Sequence, residues 1–390
     1  MLDFNFTKEE ELFRAEARSF FTAEVGGAPP LDPEDEAFVP KMRAILRKLG
    51  ERGWLTLTWP KEYGGMDASP MYRFILLDEM ALSGLTSSGG FNTGGRIVGP
   101  TLMQHGTEEQ KRFFLPKIAK YEIDFALGYT EPEAGSDLAS LKMQAVEDGD
   151  DFIITGQKMY NTTCHWAEYH WLAVRTDPKA PKHKGISLFM VDMRSPGIKL
   201  TPMYAVSGAR TNAVFYDGVR VPKNRLVGEK NKGFYYASTA LAYERIFNVG
   251  MHARMLTSII DYAKSHTRNG RLLWDELPLR REAARHAAKL RALRVLCYKV
   301  GWQMSNKIMP SYEASSLKVL ISEFEKELVH TSMEMLGHYG ELEAGSKHVP
   351  GEGAFAQAYH AAPLSTITGG ASEIQRNVIA TRGLGLPRGE

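Results

Sequence analysis

The sequence predicts an α+β protein with three domains, in the order helical, β and helical. Three observations lead to this fold class. The chain begins with helical periodicity, its middle alternates short runs of β-forming residues with turns, and its last part holds long stretches with little glycine or proline. We place the domains at residues 1–121, 122–232 and 233–390, and expect the last one to resemble a four-helix bundle.

The N-terminal domain is predicted from helix signals at its two ends. Thr7-Lys-Glu-Glu10 has the spacing of a capping box, in which a hydroxyl and a carboxylate satisfy each other's backbone amides. Four apolar residues then fall on one face of the same helix: Phe13, Ala17, Phe20 and Phe21. A further helix is predicted over residues 36–52, and Thr107-Glu-Glu-Gln110 is a second capping box.

The middle domain is predicted from short segments with strand character. These segments are residues 125–129, 142–147, 152–155, 169–175, 186–191, 198–203 and 213–216. Asp148-Gly149 separates two of them and is typical of a tight hairpin turn. Because no helical stretches separate the segments, we expect an antiparallel sheet or barrel. Residues 221–228 are interpreted as the exit from this domain.

The C-terminal domain is predicted from three long helical segments. Residues 234–267 contain no proline and only Gly250, which predicts one long helix. Residues 280–305 and 311–337 predict two more helices. Long helices of this kind pack side by side, so we expect an antiparallel bundle.

Composition and charge exclude several function classes. The 390 residues carry 48 Lys and Arg against 46 Asp and Glu, a net charge of 48 − 46 = +2, so no nucleic-acid partner is expected. No apolar run reaches 18 residues, which argues against membrane insertion. The two cysteines and the scattered histidines form no metal-site spacing, and no metal is expected. Two cysteines and an acidic N-terminus predict a cytoplasmic protein.

Two loop segments have residues suited to ligand binding. The segment Gly128-Tyr-Thr-Glu-Pro-Glu-Ala-Gly-Ser-Asp137 follows a predicted strand, and its small residues and free amides suit an anion site. It is equally a turn with local Ser and Asp hydrogen bonds. In Thr368-Gly-Gly-Ala-Ser-Glu-Ile-Gln-Arg376 two glycines permit close approach of a ligand, and Ser372 could cap the next helix. The alternative is a simple loop-to-helix joint.

One carboxylate has the surroundings of a general base. Glu244 lies within Leu241-Ala-Tyr-Glu-Arg-Ile-Phe247, an apolar stretch of a predicted helix. Burial there would raise its pKa toward the range of a useful base. Arg245 could instead stabilise its charge, and Glu244 could also be an ordinary glutamate on the helix surface.

These segments, in this order, resemble the acyl-CoA dehydrogenase family over essentially the whole chain. The matching motifs are Trp59-Pro-Lys-Glu-Tyr-Gly-Gly65, Gly106-Thr-Glu-Glu-Gln-Lys111, Tyr129-Thr-Glu-Pro-Glu-Ala-Gly-Ser-Asp137, Gly156-Gln-Lys-Met159, Val221-Pro222 and Ser372-Glu-Ile-Gln-Arg376. The resemblance implies an FAD-dependent enzyme that converts an acyl-CoA to the trans-2-enoyl-CoA. A carboxylate base removes the Cα proton while the Cβ hydrogen leaves as a hydride to flavin N5.

The resemblance also implies which residues contact the cofactor. One set would lie along the flavin or the CoA pantetheine, with Thr130 at the flavin pyrimidine edge and Thr162 near N5: Leu127, Gly128, Tyr129, Thr130, Gly135, Ser136, Tyr160, Thr162 and Gly370. Tyr160 stands where the family commonly has tryptophan. A second set would hold the pyrophosphate and adenosine of an FAD shared with a neighbouring subunit: Arg268, Glu334 and Gly337. The family usually has glutamine at Glu334.

The largest departure from the family pattern concerns the base. Most members carry a glutamate in the loop before the Ser-Glu-Ile-Gln-Arg helix, where this chain has Gly369. A minority, resembling isovaleryl- and long-chain acyl-CoA dehydrogenases, places it on the long helix after the β domain, which corresponds here to Glu244 followed by Arg245. Because Gly369 has no side chain, we expect more space around the substrate Cα and Cβ, which favours a branched, cyclic or bulky acyl group. The expected substrate-binding residues are Ser136, Arg245 and Gly369. The resemblance extends to bacterial dehydrogenases of steroid and cyclic-acid catabolism.

The resemblance implies partners and leaves alternatives. An electron-transfer flavoprotein would accept the electrons, and the assembly would be a homotetramer or an α2β2 heterotetramer. One alternative is a catalytically limited subunit whose chemistry is done by a partner. Others are a flavin monooxygenase, disfavoured by the Glu244-Arg245 pair, and an oxidase, whose relatives are usually longer.

Overall fold

The computed structural model describes residues 5–25, 37–85, 91–244 and 248–387, and for residues 239–244 it describes the backbone alone. The N-terminal helices are α1 (Lys8–Val25), α2 (Phe38–Glu51), α3 (Pro70–Leu82), α4 (Gly99–His105) and α5 (Glu108–Ala119), with a π-helical turn over Gly94–Val98 before α4. Both predicted capping boxes are confirmed. The Thr7 amide donates to Glu10 Oε2 at 2.9 Å and the Glu10 amide donates to Thr7 Oγ1 at 3.2 Å, and Thr107 and Gln110 pair in the same way.

The middle domain contains eight strands in one sheet. They are β1 (Phe125–Gly128), β2 (Gln144–Asp148), β3 (Asp151–Lys158), β4 (Tyr169–Arg175), β5 (Ile186–Asp192), β6 (Ile198–Tyr204), β7 (Arg210–Pro222) and β8 (Leu226–Val227). The order is β6-β7-β3-β2-β4-β5-β8, with β1 beside β4. The predicted hairpin is confirmed, because Asp148 pairs with Asp151 across a turn in which Gly149 has a φ of +59°.

The sheet differs from the prediction in two respects. It is not purely antiparallel, since β1 pairs parallel with β4, and β2 meets β4 in parallel at one residue pair. Between β1 and β4 the chain passes through a long loop and the β2–β3 hairpin, so it returns in its original direction. The segment 221–228 is also more than an exit, because β8 within it pairs with β5.

The C-terminal domain contains six helices and a two-stranded ribbon within its described residues. The elements are α6 (Gly233–Glu244), α7 (Gly250–Ser265), β9 (Thr267–Arg268), β10 (Arg271–Leu272), α8 (Leu277–Ser305), α9 (Tyr312–Leu336), α10 (Ala354–Ser365) and α11 (Ser372–Val378). The predicted helices 280–305 and 311–337 are confirmed as α8 and α9.

The prediction of a single helix over residues 234–267 is wrong. Asn248 and Val249 are not helical, and α7 begins afresh at Gly250. The Asn248 side chain accepts a hydrogen bond from the Gly250 amide at 3.2 Å, which competes with helix continuation. Gly250 also packs so closely on α3 that a Cβ there would lie 2.4 Å from the Asp78 carbonyl oxygen. A local turn and a tertiary contact therefore set this break.

Three hydrophobic clusters hold the domains together. The largest joins the N-terminal and C-terminal helices and includes the predicted apolar face of α1, namely Phe13, Ala17, Phe20 and Phe21. The other two lie against the sheet, and one of them includes residues of α4, α5 and α6. No helix in the described part of the chain is long and apolar enough to cross a bilayer. The α+β prediction is confirmed in its order of helices, sheet and helices.

Candidate active site

The end of strand β1 forms the centre of the candidate site. Leu127 and Gly128 pair with Trp171 and Leu172 of β4. A Cβ at Gly128 would lie 2.4 Å from His170 Nε2, so only glycine fits this position. The Tyr129 ring is buried, and its hydroxyl accepts a hydrogen bond from Trp171 Nε1 at 3.0 Å. The Tyr129 side chain thus belongs to the core.

A buried ion pair lies directly beneath this strand end. Lys158 is the last residue of β3 and is fully buried. Its Nζ donates to Glu131 Oε1 at 2.8 Å and to the Tyr129 carbonyl oxygen at 3.1 Å. Burial lowers the pKa of Lys158 to about 8, although the nearby Glu131 carboxylate opposes that shift.

The loop between β1 and β2 is fixed by charged side chains that bond its backbone. Glu131 accepts hydrogen bonds from the amides of Lys142 and Met143 at 2.6 and 3.0 Å. Arg175 donates to the carbonyl oxygens of Ala139 and Leu141 at 2.6 and 3.1 Å. The loop is therefore rigid at its base. The predicted residues at its tip, Gly135 and Ser136, are exposed.

The predicted residues Tyr160 and Thr162 lie next to the β1 end. The Met159 amide donates to the Thr130 carbonyl oxygen at 2.8 Å, which joins the two segments. Tyr160 has a φ of +58° and its side chain is 60% exposed, although it is a large aromatic residue. Thr162 is exposed as well. A strained and exposed aromatic residue beside free backbone is typical of a ligand site.

Asn212, on β7, holds this second segment in place. The Asn161 amide donates to the Asn212 carbonyl oxygen at 3.0 Å, and Asn212 Nδ2 donates back to the Asn161 carbonyl oxygen at 2.8 Å. Nδ2 also lies 3.1 Å from His165 Nδ1, which acts as an acceptor in the neutral ring. Burial, followed by the charge of Arg210, lowers the pKa of His165 to about 4.

Asp124 connects the strand to the N-terminal helices. It is completely buried, and its carboxylate accepts hydrogen bonds from the amides of Asn92, Gly94 and Phe125 at 2.8–2.9 Å. The Tyr121 hydroxyl donates to the same carboxylate at 2.9 Å. Because Gly94 begins the π-helical turn before α4, this single carboxylate sets the position of α4 relative to β1.

The predicted base, Glu244, and the predicted substrate-binding residue Arg245 have no described side chain. Glu244 is the last residue of α6, but its side chain lies outside the described residues, and so does Arg245. The start of α6 is tightly docked, since a Cβ at Gly233 would lie 2.5 Å from the carbonyl carbon of Ser187 on β5. The role of Glu244 therefore stays a prediction.

The loop that contains Gly369 and Gly370 has both glycines at positive φ, +66° and +93°. A Cβ at Gly369 would meet no atom within 4 Å, whereas one at Gly370 would lie 2.3 Å from Gln375 Nε2. The prediction that Ser372 caps α11 is wrong. Ala371 occupies the cap position, and the Ser372 hydroxyl donates to the Thr366 carbonyl oxygen at 3.3 Å.

The residues predicted to bind the far end of the cofactor come together in the C-terminal domain. Arg268 Nη2 donates to the Met335 carbonyl oxygen at 2.6 Å, at the end of α9. Gly337 follows with a φ of +59°, and a Cβ there would lie 3.7 Å from the same Nη2. Glu334 is exposed one residue before this contact, with its Oε1 3.6 Å from His330 Nε2.

The donors at the strand end fit a flavin. Within the described residues, the amides of Thr130, Gly135 and Ser136 have no hydrogen-bond acceptor. The buried Asn161 Oδ1 also has no partner in that part of the chain. Uncharged donors and acceptors of this kind match the polar edge of a flavin ring, and the exposed Tyr160 ring offers an aromatic surface beside them.

Several of these residues were not predicted from the sequence as site residues. Lys158 had a detectable signal, because Phe152, Ile154 and Lys158 share one face of a strand by the period of two. A lysine at an inward-facing position requires a buried partner. Asp124 and Asn212 gave no such signal, since their roles depend on backbone amides from distant segments.

Comparisons with known proteins cover the whole chain. The models of the acyl-CoA dehydrogenase N-terminal, middle and C-terminal domains match residues 7–122, 126–219 and 231–384. Acyl-CoA dehydrogenase FadE26 of Mycobacterium tuberculosis is 36% identical, with 98% of each chain covered. A chain of the ChsE4-ChsE5 complex from Mycobacterium tuberculosis superposes with a TM-score of 0.89 at 36% identity, over 100% of each chain. The steroid ACAD Tcur3481-Tcur3483 gives a TM-score of 0.88, also at 36% identity and over 100% of each chain.

Proposed function

The chain belongs to the acyl-CoA dehydrogenase family of FAD-dependent flavoproteins, and we propose that it oxidises an acyl-CoA to the trans-2-enoyl-CoA with Glu244 as the base. The main support for locating the reaction at the end of β1 is that the two predicted flavin-binding segments are joined there. The Met159 amide bonds the Thr130 carbonyl oxygen at 2.8 Å, so the β1 end and the Tyr160–Thr162 region form one surface with free donors.

In this proposal the chain's own residues perform the proton transfer and the positioning. Glu244 removes the Cα proton of the substrate, which the thioester carbonyl makes acidic. The chemistry that FAD supplies when bound is acceptance, at N5, of the hydride that leaves Cβ. The residues that would hold the flavin are Thr130, through its amide at the ring edge, Thr162 near N5, and Tyr160, whose ring would pack on it. Holding the reacting groups in this order contributes much of the rate.

The substrate in this proposal is an acyl-CoA with a branched, cyclic or bulky acyl group. Two observations support it. Gly369 stands where most family members carry the base, and the space around its missing Cβ is open to 4 Å. The structural relative Tcur3481-Tcur3483 is a steroid ACAD. Ser136, exposed in the rigid loop after β1, and Arg245 would contact the CoA side of the substrate.

We also propose which proteins this chain assembles with and transfers electrons to. The ChsE4-ChsE5 relative is a complex of two different chains, which favours an α2β2 heterotetramer over a homotetramer of identical chains. An electron-transfer flavoprotein would take the electrons from the reduced flavin. Both cysteines are free and buried, in keeping with a cytoplasmic protein.

Anaerobic bleaching of the bound flavin tests this function. The purified protein, alone and with a co-expressed partner chain, is mixed with acyl-CoAs that carry straight, branched, cyclic and steroid acyl groups. We expect loss of the yellow colour with bulky or cyclic acyl groups and formation of the enoyl-CoA. Flavin that no acyl-CoA bleaches would contradict the function, and faster bleaching by straight C4–C8 chains would contradict the substrate class. Oxygen consumption during turnover would instead identify an oxidase.

A further inference from the structure

We propose that Lys158 is a positioning residue for the flavin site, which orients the main-chain amide of Thr130 toward the cofactor. The inference rests on the proposed function, since it takes the end of β1 as the place where FAD binds. Lys158 is fully buried and therefore does not reach a ligand itself. It acts through the peptide unit that it holds.

The end of β3 holds two successive carbonyl groups of the β1 end. Lys158 Nζ donates to the carbonyl oxygen of Tyr129 at 3.1 Å. The amide of the next residue, Met159, donates to the carbonyl oxygen of Thr130 at 2.8 Å. Together the two bonds fix the peptide units on both sides of Thr130, so the backbone of this segment has one orientation.

That orientation determines where the Thr130 amide points. In a planar trans peptide the C=O and the following N–H point in opposite directions. Because the Tyr129 carbonyl points inward at Lys158, the N–H of Thr130 in the same peptide unit points away from Lys158. Within the described residues this N–H has no acceptor. A free donor held in this way is what the polar edge of a flavin ring requires.

A buried lysine is present at position 158 because it pairs with the buried carboxylate of Glu131. Glu131 is 7% exposed and binds the amides of Lys142 and Met143 while it accepts from Lys158. A carboxylate in such surroundings needs a cation or several donors. Lys158 therefore serves two purposes, since it neutralises Glu131 and bonds the Tyr129 carbonyl. Only the second purpose positions the Thr130 amide.

Titration of the flavin-free protein with FAD tests this role of Lys158. The variants are Lys158→Met and, as a matched control, Lys142→Met. Lys142 pairs with Glu133 on the same loop, but both side chains are about three-quarters exposed. We expect FAD to bind at least tenfold more weakly to Lys158→Met and with unchanged affinity to Lys142→Met. We also expect a shifted visible absorption band for the flavin that Lys158→Met still binds, because its ring edge has lost a fixed donor.

A double variant keeps the test decisive where Lys158→Met alone does not fold. Lys158→Met with Glu131→Gln removes both buried charges and leaves the Tyr129 carbonyl without its donor. We expect it to fold and still to bind FAD at least tenfold more weakly than the wild type. Wild-type affinity and spectrum in the double variant would overturn the inference, and so would an equal loss in Lys142→Met. A wild-type protein that binds no FAD would instead refute the proposed function.

Discussion

Arg268 Nη2 lies 2.6 Å from the main-chain carbonyl oxygen of Met335, and this bond fastens the β9–β10 ribbon to the end of helix α9. The last carbonyls of a helix lack intrahelical partners, so a guanidinium is a favourable cap there. The remaining donors of Arg268 are partly exposed, with Nη1 3.8 Å from Glu276. The same side chain can thus organise the helix end and face an anion.

The first prediction concerns that arginine. Arg268→Ala should reduce retention of FAD by at least tenfold, because a charge-assisted contact to the pyrophosphate is lost together with the α9 cap. The ratio of flavin to protein absorbance after gel filtration measures the loss. Arg271→Ala is the control, since Arg271 is exposed on the same ribbon. Full flavin retention in Arg268→Ala would show that the pyrophosphate lies elsewhere.

The second prediction concerns the carboxylate at position 334. Glu334→Gln restores the residue that the family usually has and removes a negative charge beside Arg268 and Gly337. We expect FAD affinity to rise a few-fold, with a larger gain at low salt, because a carboxylate repels the pyrophosphate. Glu341→Gln, an exposed glutamate beyond the same helix end, serves as the control. Equal affinities of Glu334→Gln and the wild type at low salt would place Glu334 away from the phosphates.

The third prediction concerns the base. Glu244→Gln should retain FAD and acyl-CoA binding but lower turnover by about a thousandfold or more, because the amide keeps the shape and cannot accept the proton. The rate of anaerobic flavin reduction measures the chemical step directly. Glu373→Gln, on the exposed side of α11 four residues after Gly369, should keep the wild-type rate. A near-normal rate in Glu244→Gln would remove Glu244 from the mechanism.

The fourth prediction concerns acid stability. Burial holds the pKa of His165 at about 4 and that of His170 at about 3, whereas an unfolded histidine titrates near 6.5. Between those values the unfolded chain binds more protons than the folded chain. Stability therefore falls as the pH decreases below about 6.5, by up to about 1.4 kcal/mol per pH unit for each histidine.

Melting temperatures between pH 4 and pH 7 measure this dependence. His165→Gln should show a shallower slope than the wild type, since one of the histidines whose pKa is lowered by burial is gone. His338→Gln is the control variant, because the His338 ring is fully exposed. An unchanged slope in His165→Gln would mean that this ring is already charged in the folded protein.

The sequence predicted those elements whose signals are local. The capping box at Thr7 and Glu10 and the turn at Gly149 depend on residues within four positions of each other, and both are confirmed. Helices α8 and α9 follow from long stretches of helix-forming residues. The break before Gly250 was missed, because the local turn at Asn248 is only part of its cause and the rest is contact with the Asp78 carbonyl oxygen on a different helix.

The same distinction between local sequence signals and tertiary contacts applies to the candidate site. In the sequence Gly128 looks like an ordinary glycine at the end of a strand. Glycine is required there because the His170 ring, on a strand more than forty residues away, leaves no room for a Cβ. The parallel pairing of β1 with β4 and the amide contacts of Asn212 are likewise consequences of assembly. Residue types and their spacing could identify the segments of the site. Only tertiary packing could identify the side chains that hold them in place.

The buried carboxylate of Asp124 has a consequence for protein engineering. Its donors come from residues 92–94 on one side and from Tyr121 and Phe125 on the other. A chimera whose crossover falls between residues 94 and 121 would combine Asp124 from one parent with residues 92–94 from another. Unless residues 92–94 take the same conformation in both parents, the hybrid would enclose a carboxylate that has lost two of these donors. Exchange of acyl-chain specificity between relatives should therefore transfer residues 92–125 as one block.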